Sequence, residues 1–574
     1  MNGSTEIKYY LGNYTSLIDT LLNRIQAEKL ISRIWKKDHT IWKPYPDEIA
    51  NRLGWLIAPT TMMKAINEIT DFVDGVRQEG LTHVLLLGMG GSSLAPEVFR
   101  KIFGVQPGYL DLAVLDSTHP EAVLNFTKTF KPEHTLYLVS TKSGSTVETS
   151  SFMKYFYNLA LDSVGATRVG RHFAAITDSG SQLHLTAEKL GFRKTFLNDP
   201  DVGGRYSALT YFGLVPAALI GVGISLLLKR AYNMALGCGA DGSFELSESS
   251  PALLGAVMGA LAQVGHDKLT FFGSKEIEHF SIWVEQLIAE STGKEGKGIL
   301  PVVGETLRSP DFYRADRLFI HLRLKGDSRA DTQLKSLIEG NHPLVQINLS
   351  DNYDLGGEFY RWEMATAVAG WILGINPFDQ PDVESAKVAA REMVAAYKRK
   401  GKLPELRPSF SNDGIQVYTD FELSDFTKLW KNFLKIDENK ESQIPLPYIA
   451  IHAYLNPTRE IATALQNLRN RIQEKTGLAT TWGFGPRFLH STGQLHKGDA
   501  GNGRFIQIVA DFREDVSIPD QFGEKSSSLT FGTLEMAQSL GDRTALLQAG
   551  RNILRFHLDQ AVLPRLEQLI ATIE

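Results

Sequence analysis

The chain has 574 residues, 43% of them hydrophobic and 10% aromatic, more than one hydrophobic core usually accommodates, so a globular protein of about three domain-sized units is expected. A formal net charge of -5, with Lys and Arg scattered rather than clustered, excludes the basic footprint of a nucleic-acid binder. The single cysteine, Cys238, excludes an intrachain disulfide and a cysteine-based zinc site, which fits a reducing, cytoplasmic setting.

In chain order, MNGSTEIKYYLGNY lacks the basic start and apolar centre of an export signal. Residues 1–80 read as a helical segment, because SLIDTLLNRIQAEKLISRIW and APTTMMKAINEITDFVDGVRQEG both recur at the 3.6-residue period. The pattern then changes to short apolar runs, HVLLLG, LAVLDS, LYLVS and HFAAITDS, each followed by a helical stretch. That alternation predicts a parallel sheet covered by helices over residues 81–240.

Tyr211–Leu228 is uncharged over 18 residues, long enough to span a membrane, but Gly213, Pro216, Gly221 and Gly223 interrupt it. It reads as buried helix, with no membrane partner expected. A second α/β unit over 241–400 follows from KLTFFGS, RLFIHLRL and LVQINLS and the helix GEFYRWEMATAVAGWILG. Residues 401–420 have the polar, Pro-containing composition of a linker. Beyond them PYIAIHAYL, a helix around EIATALQNLRNRIQEKTG, TTWGFG, FIQIVADF and a long helix from Leu534 predict a partial third α/β unit over 421–574, with the order of a duplication. The fold class expected is α/β, with two doubly wound parallel-sheet domains and an additional C-terminal α/β unit.

Ligands of such sheets sit beyond the carboxyl ends of the strands, where helix-opening loops present backbone N–H groups to an anion. Two loops of the first unit have that character. MGGSSLAPEVF follows HVLLLG, with Gly88, Gly90 and Gly91 permitting close backbone approach and Ser92 and Ser93 adding hydroxyls. TKSGSTVETS follows LYLVS, with Thr141, Ser143, Ser145 and Thr146 around Lys142 and Gly144. Four hydroxyls on a Gly-containing turn make a phosphate site through neutral hydrogen bonds. An ordinary helix cap among surface Ser and Thr residues needs only one or two of them. GMGGSS before Asp116 is a near-match to a dinucleotide fingerprint, but Ser93 stands where the third glycine belongs, and no Gly-Lys-Ser/Thr loop is present.

DVGGRYSALT places Arg205 after paired glycines, where a fixed cation could face an oxyanion; a structural salt bridge explains it equally well. Glu290, at the end of an apolar helix in AESTGKEGKG, could be a partly buried base or a solvated helix-end carboxylate.

Five stretches, in order, resemble the glucose-6-phosphate isomerase family. GMGGSS and TKSGST are similar to its sugar-phosphate loops, DVGGRYSALTYFGL to its first signature, ESTGK to its Glu-Ser-x-Gly-Lys element, and GWILGINPFDQPDVESAK, Gly370 to Lys387, to its second signature. The resemblance covers roughly residues 80 to 390 and implies two sugar-isomerase (SIS) domains, a homodimer, no metal or organic cofactor, and interconversion of glucose 6-phosphate and fructose 6-phosphate. It further implies Glu290 as the proton-transfer residue, Lys387 in ring opening and substrate contact, and Arg205 as stabiliser of the enediolate. The phosphate falls to Gly91, Ser92, Thr141, Lys142, Ser143, Ser145 and Thr146, with Gly204 and Gln494 as further substrate contacts. A sugar-phosphate sensor, or an isomerase of another sugar phosphate, is the alternative on the same loops.

The chain departs from the family pattern in three places. Asp382 stands where a small residue is usual. The His-Ser-x-Gly-Gln element expected about twenty residues after Glu290 is missing, since LPVVGETLRSPDFYRAD holds no histidine. A similar element occurs far downstream in RFLHSTGQLHKG, with His490, Gln494 and His496. Either that loop happens to read HSTGQ, or the C-terminal unit supplies His490 in the ring-opening role, which is the expectation adopted. The third departure is that unit itself; it resembles the isomerase half of transaldolase/glucose-6-phosphate isomerase fusions, without a transaldolase portion.

Overall fold

The structure is a computed structural model that describes residues 6–239, 242, 250–421, 423–435 and 445–573. The boundary expected at residue 240 lies outside the described residues. The segment read as helical does form helices at Thr15–Ala27, Leu30–Trp35, Ala58–Met63 and Ile66–Gln78, but it also holds a strand, β1 (Glu6–Tyr10). Ile and two Tyr residues in a run of five favour extended backbone there.

The first sheet contains β2 (His83–Gly88), β3 (Asp111–Leu115), β4 (Thr135–Ser140), β5 (Phe173–Asp178) and β6 (Lys194–Asn198), the last not evident in the sequence. All are parallel, in the order β3-β2-β4-β5-β6. Their apolar runs are buried along almost their whole length, as expected for strands covered by helices on both faces. The order reverses between β2 and β4, so the loops following these two strands open onto one crevice.

The second sheet contains β7 (Lys268–Gly273), β8 (Leu300–Val302), β9 (Arg317–Leu324) and β10 (Leu344–Leu349), in the order β8-β7-β9-β10. β1 closes its edge antiparallel to β10. The uncharged stretch from Tyr211 is not one helix: Tyr211–Leu219 contains Pro216, a turn follows, and Ile224–Gly237 is separate. Among the described residues no helix is long and apolar enough to cross a membrane.

The C-terminal unit departs from its sequence reading in two places. The expected linker holds a hairpin, β11 (Phe410–Asn412) and β12 (Ile415–Tyr418), turned by Asp413 and Gly414 at φ 42° and 75°, the positive-φ pair of a two-residue hairpin. The sheet continues with β13 (Tyr448–Tyr454), β14 (Ala479–Phe484) and β15 (Gly503–Ala510), followed by a small hairpin of β16 (Ser517–Ile518) and β17 (Leu529–Thr530). The helix expected from Leu534 runs from Phe531 to Gln548 and stops at Gly550, φ 72°. β18 (Asn552–Leu558) and a separate helix, Val562–Ala571, follow. The order β14-β13-β15-β18-β12-β11 repeats, in its parallel part, the second-first-third-fourth order of the other two sheets.

This unit has its own core around Ile449, Leu468, Ile506 and Phe556. It also shares apolar seams with the first unit, where Phe531 and Leu534 join Phe152 and Tyr137, and with the second, where Tyr448 and Leu495 join Ala289 and Leu300. Its helix Phe531–Gln548 lies along the helix Pro381–Lys400 so closely that a Cβ on Gly541 would stand 2.7 Å from the backbone nitrogen of Ala390. Gly541→Val is therefore expected to push the helices apart and destabilise the protein by about 1–3 kcal/mol, the usual cost of overpacking. Thermal unfolding checks this; a wild-type melting curve would mean that the contact is slack.

Candidate active site

The first-sheet crevice is closed by backbone packing that only glycine allows. Gly91, after β2, faces the carbonyl of Gly204, where an added Cβ would stand 2.1 Å from the oxygen. Gly90, φ 55°, lies against the backbone of His490, whose carbonyl oxygen would be 2.8 Å from its Cβ. Gly204 thus supports the loop through its carbonyl, which also accepts from the Ser207 hydroxyl at 2.6 Å.

After β4 the turn 141–146 leads into the helix Val147–Val164. Thr141 and Thr146 hydroxyls are 3.2 Å apart, and those of Ser143 and Ser145 2.8 Å. Thr146 occupies the N-cap position without a side-chain capping bond, and Ser143 and Ser145 are exposed. The turn therefore offers hydroxyls and helix-opening N–H groups to an anion. Lys142 differs from its expectation: its ammonium donates to Asp178 Oδ2 at 2.5 Å and to the Pro200 carbonyl at 2.7 Å. Its charge holds the turn to the neighbouring loop.

Arg205 is 2% exposed, and protein groups surround it. Nε donates to the Ser291 hydroxyl at 2.7 Å; Nη1 donates to Glu290 Oε1 at 3.1 Å and Gln380 Oε1 at 2.9 Å; Nη2 donates to the carbonyls of Pro377 and Asp379 at 2.8 and 3.0 Å. Glu290, near the end of the helix Phe280–Thr292, keeps 13% of its side chain exposed. Its second oxygen accepts from Gln286 Nε2 at 3.0 Å, and the same nitrogen donates to the His490 carbonyl at 2.7 Å. The cation and carboxylate singled out in the sequence thus share one wall, and His490 adjoins them.

His490 ends the short helical turn Arg487–His490 of the C-terminal unit. Its Nε2 stands 2.9 Å from Oε1 of Glu148, in the first turn of the helix Val147–Val164. With Nε2 carrying the proton to Glu148, Nδ1 is the basic nitrogen. The turn is anchored by Arg487, which donates to both oxygens of Asp116 at 2.5 and 3.0 Å. Lys387 is exposed, on the helix Pro381–Lys400, and its charge acts on Glu148.

Gln494 departs from the expected substrate contact. It is fully buried; its Oε1 accepts from the backbone nitrogens of Asp382 and Val383, and its Nε2 donates to Gly293 O and Asp382 Oδ2. With the amide filled by protein groups, Gln494 joins the start of the Lys387 helix to the ESTGK loop. Asp382, the unusual signature residue, is one of its partners. His496 is also buried, with Nδ1 3.0 Å from His452 Nε2. Glu148 and Gln380 were not singled out from the sequence. Gln380 lies inside the second signature-like stretch, whereas Glu148 gains its meaning only from a partner 342 residues away. Among the described residues no group of three or more His, Cys, Asp or Glu side chains is placed to hold a metal ion.

A family model described as phosphoglucose isomerase matches residues 60–298. A glucose-6-phosphate isomerase of Campylobacter jejuni is 27% identical over 392 residues, covering 61% of this chain and 94% of its own length. One of Carboxydothermus hydrogenoformans is 29% identical over 405 residues, covering 60% and 85%. Over these residues the chain is similar to phosphoglucose isomerases. The crystal structure of a glucose-6-phosphate isomerase from Chlamydia trachomatis shares the fold at a TM-score of 0.57 and 17% identity, over 68% of this chain and 88% of that one.

Burial alone would raise the pKa of Glu148; the charge and hydrogen bond of His490 and the charge of Lys387 outweigh it and hold the carboxyl below its ordinary 4.5. A carboxylate depressed on folding contributes stability above its unfolded pKa, and that contribution is lost as pH falls through the folded value. Glu148→Gln is therefore expected to lower the urea midpoint at pH 7, with the gap to wild type closing as pH falls below 4.5. An equal gap at pH 7 and in acid would show that the ion pair does not stabilise the fold.

Proposed function

We propose that the protein is an aldose-ketose isomerase that interconverts glucose 6-phosphate and fructose 6-phosphate, a step of glycolysis and gluconeogenesis, by proton transfer through a cis-enediol. The observation that carries the reading is the contact of Glu290 with the buried Arg205 at 3.1 Å, a base and a fixed cation on one wall of the crevice. The phosphate is held by the turn Thr141–Thr146 and the Gly91–Ser92 loop, through hydroxyls and backbone N–H groups.

His490, oriented by Glu148, moves the proton between the ring oxygen and the anomeric hydroxyl, and Lys387 contacts the substrate at the same step. Glu290 removes the proton from C2 of the open aldose, or from C1 of the ketose, and returns it to the neighbouring carbon. Arg205 stabilises the enediolate oxygen formed between these transfers. Every step uses side chains of the chain itself, with no metal or organic cofactor. A sensor of sugar phosphates has use for the phosphate turn, but not for a carboxylate held against a buried guanidinium.

The protein is proposed to act in the cytoplasm as a homodimer. Arg205 meets Glu290, and His490 meets Glu148, within the chain.

A proton NMR time course with fructose 6-phosphate in D2O and EDTA tests this reading. Glucose 6-phosphate carrying deuterium at C2 is expected from the wild type, unaffected by EDTA. Glu290→Gln is expected to lose about three orders of magnitude in kcat, the scale of a positioned general base. Activity within tenfold of wild type would remove Glu290 from the mechanism. Unchanged substrate that still raises the melting temperature would point to a sensor or to another sugar phosphate.

A further inference from the structure

The C-terminal unit reaches Glu148 by a second route. The helix Phe531–Gln548 carries Gln538, 3% exposed, whose Nε2 donates to Glu148 Oε1 at 2.7 Å. This is the same oxygen that faces His490 Nε2. An ionised carboxylate only accepts, so the amide must turn its NH2 toward Glu148 and its oxygen away. That oxygen accepts from the Thr118 hydroxyl at 2.9 Å, in the loop after β3. Thr118, Gln538, Glu148 and His490 therefore form one chain of hydrogen bonds, with the first three residues buried.

We propose that Gln538 is a positioning residue, whose amide fixes the Glu148 carboxylate on His490 and so sets the imidazole tautomer and orientation for opening the sugar ring. The inference rests on the ring-opening role of His490 given above. Two donors on one oxygen leave the carboxylate little freedom to rotate toward the charge of Lys387, the other charged group acting on it. Asp116, paired with Arg487, also interacts electrostatically with His490. The Gln538 helix also packs against the Lys387 helix, at Gly541 and Ala390.

Gln538→Leu keeps the volume and removes the donor. It is expected to lower kcat for fructose 6-phosphate about 10-fold while KM changes less than about 3-fold, as for partners one shell out from a reacting group. The acid limb of the kcat profile is expected to move to higher pH, because the carboxylate loses a donor that favours its charged form. Thr118→Val is expected to act in the same direction, and Thr118→Val/Gln538→Leu to be no worse than Gln538→Leu alone, since both cut one chain. A folded Gln538→Leu protein with wild-type kcat and acid limb overturns the proposal.

A second readout does not depend on turnover. The His490 ring-proton resonance, identified by its loss in His490→Gln, serves as a reporter in a pH titration, and the low-pH step caused by protonation of Glu148 is expected at higher pH in Gln538→Leu than in wild type. An unchanged titration overturns the coupling. A wild type that titrates as expected but leaves fructose 6-phosphate unconverted overturns the isomerase reading instead.

Discussion

The site depends on a guanidinium taken out of water. A cation at this depth is tolerated only when its hydrogen-bonding capacity is met by the protein, and Arg205 meets that requirement with Ser291, Glu290, Gln380 and two carbonyls. These partners belong to the second-sheet helix Phe280–Thr292 and to the turn before the helix Pro381–Lys400, while Arg205 belongs to a loop of the first unit. One desolvated charge thus fixes how two α/β units face each other. The contact of Gly91 with Gly204 extends this constraint to the loop after β2.

The C-terminal unit repeats the strand order of the other two, yet its contribution to the crevice is a segment laid across it. Residues 487–498 are held from outside by Asp116 through Arg487, and from below by Gln494 on Gly293 and Asp382. A buried network backs them within the third unit. Lys497 donates to Asp542 Oδ1 at 2.7 Å, His452 faces the other oxygen at 3.1 Å, and His496 faces His452. Asp542 is depressed because those charges and hydrogen bonds outweigh its burial, whereas burial keeps His496 far below an ordinary histidine. The network gives the segment polar anchors on both sides, so His490 is carried on a stiff support rather than a surface loop.

Central strands were legible because burial on both faces writes them as apolar runs, as in HVLLLG and LYLVS. The strands that escaped were mostly edge strands: β1, β6, β8 and β11 each have at most one strand partner and a short or mixed pattern. β18 is central but begins shortly after a long helix and was absorbed into it. Only Gly550 marks the break, and the Asp413-Gly414 pair marks the hairpin that passed for linker. Arg205, Glu290 and the turn 141–146 could be singled out because their residue types stand in short runs of glycine, hydroxyl and charged neighbours. His490 could be chosen only because its neighbours resemble a family element. Lys142 and Gln494 show the converse: the residue type suits a ligand, but the fold uses its donors for other protein groups.

The separations within the Glu148 cluster govern when the site can exist. Glu148 meets His490 across 342 residues and Gln538 across 390, and contacts between such distant positions form only after the intervening chain has been ordered. During synthesis, the turn 141–146, Arg205, Glu290 and Lys387 all leave the ribosome before His490 does. On the proposed assignment, a nascent or clipped chain would carry the residues assigned to the phosphate and the base without the histidine assigned to ring opening, and isomerase activity would report that the third unit has docked.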